Sequence, residues 1–167
     1  MDFKRTSYLV YHLIYIMNNS NENPNHWLIR TGDAIQFKIL SKNKLTLFKS
    51  NIASKNFENN VKENDILWFV KRGGVVIAVS TFKKIAIREL GPLIAVTPTN
   101  EDFEINKDSI WDKEIHYDNL YNITDCDLKL IFPGQNTFHK FKKDKHSINL
   151  ENEYQYIVKY SKIKNKM

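Results

Sequence analysis

Trp27, Phe48, Trp68, Trp111, Tyr117 and Tyr121 are interleaved along the chain with Arg30, Lys49, Lys71, Arg72 and Arg88. Aromatic rings offer stacking faces to nucleobases, while lysine and arginine neutralise phosphates and make affinity depend on salt. The competing account makes most of these rings plain core, and that is the expectation for Trp68 and Trp111. Two lysine runs, at 140, 142, 143 and 145 and at 159, 162, 164 and 166, read first as solvated surface and second as phosphate contacts.

Patterns for catalysis are thinner. The sequence holds no Walker A loop, no GxGxxG, no GxSxG and no HExxH. His12, His26, His116, His139 and His146 are scattered without the spacing of metal ligands, so surface or hydrogen-bonded roles are expected for each. Asp112, Glu114 and Asp118 share one face of an alternating segment with His116. Paired carboxylates can hold a metal or act as acid and base, but a solvated strand face explains them equally well. Asp125 and Asp127 flank Cys126, the single cysteine, in a turn-like segment. One cysteine excludes an internal disulfide framework and a thiolate-rich zinc site, and fits a reducing compartment. We expect no enzyme, no metal and no cofactor, with catalysis by Asp112, Glu114 or His116 as the competing hypothesis.

The positions of these residues depend on what the chain can fold into. Its 167 residues suit one domain spanning 1–167, and 42% apolar with 13% aromatic content supports a substantial core. The net charge of +6 favours an anionic partner, nucleic acid first and a membrane surface second. No run approaches the roughly 20 apolar residues that cross a bilayer. Tyr8 to Met17 follows Lys4-Arg5 like the apolar core of an export signal, yet it is rich in tyrosine, contains His12 and lacks a small-residue cleavage site. A first strand is expected there, with a helix as the alternative, in an intracellular rather than secreted protein.

The stretch from Glu63 to Phe82 organises the rest. Ile66 to Val70 and Val75 to Phe82 are apolar on both faces, which predicts central strands covered above and below. Gly73-Gly74 supplies the positive φ of a tight turn between them, and Asn64-Asp65 is a turn signal ahead of the first strand. Ahead of the hairpin, 18–25 is a polar loop, His26 to Arg30 a short strand, and Asp33 a cap for a short helix with Ile35 and Ile39 on one face. Beyond it, Thr99 to Asp102 matches a capping box and predicts a helix around 100–108. Trp111 to Asn119 alternates as a half-exposed strand, Leu128 to Phe132 reads as another, and Tyr154 to Tyr160 as a strand or short helix before a basic tail at 161–167. The sum is an α+β fold: a small curled sheet or β-barrel with one to three short helices.

Taken in order, four of these segments resemble the YTH and EVE branch of the PUA-like superfamily. His26-Trp27-Leu28-Ile29-Arg30-Thr31 is similar to the opening strand of those domains. Leu45-Thr46-Leu47-Phe48-Lys49-Ser50 sits where YTH domains carry a Gly-Val-Trp segment, with Phe48 in place of the cage tryptophan. Ile66 to Val79 resembles the family hairpin, and Trp111 to Asn122 a later strand. The resemblance implies a site for a flipped or modified base of DNA or RNA. Arg30 and Thr31 would meet the base edge, Phe48 would stack, Ser50 would hydrogen-bond nearby and Asp33 would accept from an exocyclic amine. Lys49, Lys71 and Arg72 would hold the phosphates. A protein-interaction or inhibitor module on the same fold, without nucleic acid, is the alternative.

Overall fold

The computed structural model describes residues 23–32, 34–88, 93–99, 102–124, 128–131, 136–142 and 148–164. The expected strand at Tyr8 to Met17, the cap Asp33, Cys126 and most of the loop at 18–25 lie outside them. Strands β1 (His26–Arg30), β2 (Leu45–Phe48), β3 (Ile66–Val70), β4 (Val76–Ile87), β7 (Lys113–Asn122) and β8 (Phe138–Lys140) form one sheet in the order β2-β7-β4-β3-β1-β8. Strands β5 (Leu93–Thr99) and β6 (Asp102–Trp111) pair separately as an antiparallel ladder. Helices α1 (Ile35–Leu40), α2 (Lys55–Asn60) and α3 (Leu150–Lys164) complete the α+β architecture.

The sheet curls into a half-barrel. Among the described residues its edge strands are β2 and β8, yet the rings of Phe48 and Phe138, one from each, stand 5.2 Å apart edge to face. The ladder between β4 and β7 shifts register between Val79 and Thr81 and again between Phe82 and Lys84. Each irregularity adds local twist and bend, which is what a strand needs to follow a curved surface. Inside the curl lie Trp27, Ile29, Phe37, Phe48, Phe57, Leu67, Phe69, Phe82, Tyr117 and Phe138. On the outer face Leu28, Ile66, Trp68, Val70, Val76 and Val79 pack with Leu130 and Leu150, the last from α3.

Strand β3 is therefore buried along its whole length, between β1 and β4 in the plane and between two clusters above and below. Both turn glycines adopt left-handed backbone, Gly73 at φ 85° and Gly74 at φ 84°. Gly74 also allows a close approach, because a Cβ there would lie 2.9 Å from the Leu130 carbonyl oxygen. That carbonyl belongs to the segment expected to be a strand. Of its described residues, 128–131, only Lys129 makes a bridge, to Val75.

Other expectations require correction. The helix around 100–108 is strand β6, since Phe103 and Ile105 alternate with Glu104 and Asn106 and the two-residue period prevails over the capping-box pattern. For Tyr154 to Tyr160 the helix alternative holds, and the correction is its extent: 15 residues, Leu150–Lys164, reaching into the expected tail. Asn149 Oδ1 accepts from the Asn152 amide, and Glu151 and Glu153 in the first turn favour that end of the helix dipole. Helix α1 begins after Ala34, which holds φ 67°, and it is anchored by buried Phe37 rather than by Ile35 and Ile39, which are half exposed.

Candidate functional site

Parallel pairing of β1 with β3, from His26 with Ile66 to Arg30 with Val70, brings the C-terminal ends of both strands to one end of the sheet. There the Thr31 amide donates to the Val70 carbonyl at 2.9 Å, and the Arg72 amide to the Gly32 carbonyl at 2.8 Å. Arg30, Thr31, Lys71 and Arg72 thus form one rim. Lys71 and Arg72 are exposed at its turn. The Thr31 hydroxyl is spent on the same Val70 carbonyl, at 3.2 Å.

The other half of the expected site is elsewhere. Strand alternation puts Ile29 inside the curl and Arg30 on the outer face with Leu28 and Val70. Phe48 points inside, 4% exposed, with Phe57 and Phe138 against its ring. Arg30 and Phe48 therefore lie on opposite faces, although Phe138, the neighbour of Phe48, pairs with Ile29. Ser50 closes a polar cluster: its amide donates to Asp112 Oδ1 at 3.0 Å and its hydroxyl to Glu58 Oε1 at 2.8 Å. Ser54 and Lys113 also bind Glu58. Burial of this carboxylate opposes ionisation, but the bonds from Lys113, Ser54 and Ser50 outweigh it and hold its pKa below the usual value. Lys49 stands exposed between Phe48 and Ser50.

Asp112, Glu114 and His116 are similarly occupied. Arg88 Nη1 lies 3.4 Å from Glu114 Oε1, and His116 Nε2 lies 2.8 Å from Glu114 Oε2. Among the described residues no cluster of three histidine, cysteine or acidic side chains is placed to hold a metal ion.

Two arrangements escaped local sequence reading. Asp65, expected only as a turn residue, is a buried acceptor for Trp27 Nε1 at 3.0 Å and for the amides of Asn25 and Lys62 at 2.9 and 3.0 Å. His26 links the sheet to α3: Trp68 Nε1 donates to its Nδ1 at 2.9 Å, and its Nε2 lies 3.1 Å from Glu151 Oε2. An indole N–H can only donate, so Nδ1 accepts and the ring proton of the neutral form sits on Nε2, facing Glu151.

Burial lowers the His26 pKa from 6.5, and the opposing pull of Glu151 and Asp65 does not restore it. The unfolded chain therefore binds the proton more readily, so stability falls as pH drops through 6.5 towards the lower folded value. Thermal midpoints measured from pH 7.5 to pH 5 should decline less steeply in His26→Gln than in the wild type. Parallel curves would remove His26 as the cause.

Several carboxylates are tied to partners: Glu58 to Lys113, Asp65 to Trp27, Glu114 to Arg88, Asp118 to Lys83 and Glu151 to His26, while Glu63 is exposed. Lys38, Lys42, Lys44, Lys49, Lys55, Lys71, Arg72, Lys84, Lys129, Lys142 and Lys159 are exposed. Among the described residues no helix is long and apolar enough to cross a membrane. No protein-family model matches the chain, and no curated protein matches it.

Proposed function

We propose that the chain is a non-enzymatic nucleic-acid-binding module in which lysines and arginines hold phosphates while an aromatic surface takes a flipped or modified base. An excess of exposed cations carries this reading: Lys38, Lys42, Lys44, Lys49, Lys55, Lys71 and Arg72 are exposed, while Glu58 and Glu114 are engaged by Lys113 and Arg88. Such a field attracts a polyanion at long range and binds it by releasing its counterions. Arg30, Lys71 and Arg72 concentrate that charge at the ends of β1 and β3.

Titration of labelled single-stranded and duplex oligonucleotides, with plain and modified bases, tests it. Log affinity should fall linearly with log salt, and Lys71→Ala with Arg72→Ala should reduce the slope by about 2, roughly one unit per phosphate contact. Absent or salt-insensitive binding would remove nucleic acid as the partner. Phe48→Leu keeps the core filled, so unchanged discrimination between modified and plain bases would remove Phe48 from base recognition. The alternative, a protein-interaction or inhibitor module, draws on Ile35 and Ile39, one turn apart on α1 and 40% and 49% exposed.

A further inference from the structure

Helix α3 carries two tyrosines one turn apart, Tyr156 and Tyr160, 65% and 59% exposed. They are the aromatic members of the large apolar side chains exposed among the described residues, the others being isoleucines. Their rings are close to parallel, 14° between planes, with centroids 6.4 Å apart. Stacked bases rise by about 3.4 Å along a strand, so a planar ring between two others needs roughly twice that spacing. The centroid separation is the largest gap the two ring planes can enclose in this arrangement, so side-chain torsions must widen it to admit a base.

The helix is held from behind. Leu150, Tyr154 and Ile157 pack onto the outer face of the sheet, and Glu151 is bound by His26. The pair is therefore mounted on a fixed support and turned away from the core. Lys159 is exposed next to Tyr160, and Lys162 and Lys164 follow in the same helix.

We infer that Tyr156 and Tyr160 form an aromatic slot for one unstacked base of a single-stranded nucleic acid, with Lys159 of α3 beside a flanking phosphate. The inference rests on the nucleic-acid reading above and gives it an address on the outer side of α3. A duplex keeps its bases stacked and paired, so a single strand is the form that can offer one. Every base has a π-face, and recognition here is tolerant of sequence.

The test uses the full chain with a labelled short oligoadenylate and an abasic strand of equal length, followed by fluorescence anisotropy. Tyr156→Ala with Tyr160→Ala should weaken oligoadenylate binding about tenfold and leave the abasic strand unaffected. Tyr156→Phe with Tyr160→Phe should bind as the wild type does, because the ring faces remain. Both side chains are exposed, so the alanine variant keeps the wild-type circular dichroism. Unchanged oligoadenylate binding by the alanine variant overturns the slot and leaves the nucleic-acid reading intact. Equal weakening on both strands overturns it too, since the loss is then one of phosphate contact. Failure of the wild type to bind either strand overturns both proposals. A change confined to sedimentation overturns the slot and marks the pair as a contact between copies of the chain.

Discussion

Replacing Phe57 with alanine should lower the free energy of unfolding by about 3–5 kcal/mol, the range for a fully buried aromatic residue. Phe57 is 0% exposed and plugs the curl from α2. Its ring stacks on Phe138 at 4.4 Å and 9°, and meets Trp27, Phe82 and Phe48 edge to face at 5.1, 6.0 and 6.3 Å. Those four neighbours come from β8, β1, β4 and β2, so filling the void requires several strands to move together. The cost therefore belongs at the upper end of the range. Urea denaturation measures it directly, and Phe57→Leu should lose much less. A loss under about 1 kcal/mol in the alanine variant would show that the strands close without the plug. Against a typical domain stability of about 5–15 kcal/mol, the expected loss can unfold the chain.

Asp65→Ala should cost about 3–4 kcal/mol for a different reason. The carboxylate is 3% exposed and receives the Trp27 indole, the Asn25 and Lys62 amides and the Asn25 side chain. Alanine leaves these donors without their acceptor in a buried place, at about 1–3 kcal/mol for each group that water does not rescue. Asp65→Asn keeps one oxygen but turns an N–H towards donors, and should fall between wild type and alanine. Denaturation midpoints and the near-ultraviolet dichroism of Trp27 separate the three proteins. Asparagine matching wild type in both would mean that the second oxygen and the charge contribute nothing.

The hairpin was the most legible part of the fold. A continuous apolar run on each side of Gly73-Gly74 leaves few choices beyond two strands covered on both faces, and β3 and β4 are those strands. Helix α3 was ambiguous because its inward residues, Leu150, Tyr154 and Ile157, are sparse among polar ones. Strand β6 was misread because a short-range capping pattern preceded an equally short alternation, and only pairing with β5 decides between them.

The site was legible as residue types but not as an arrangement. Arg30 meets Lys71 and Arg72 through the parallel register of β1 on β3, which no local window contains. Phe48 separates from Arg30 because neighbouring positions on a strand face opposite ways, so the side depends on the register of the whole curl. The turn at Asn64-Asp65 was visible, whereas the burial of Asp65 was not. Its donors include Asn25 and Trp27, 40 and 38 positions away.

The two lips of the half-barrel carry a consequence for how copies of the protein behave in a crowded solution. An open sheet normally presents unpaired amides and carbonyls on which another chain can extend the ladder. Here β2 is four residues long and β8 three, and their side chains lean towards each other through Phe48 and Phe138. Exposed Lys49 follows one edge strand directly, and Lys140 ends the other, its ammonium 5.8 Å from the centre of the Trp27 ring. Short, in-turned and cationic borders give an incoming strand little to pair with. Among the described residues, the two edges can thus stay unpaired with each other without becoming a template for aggregation.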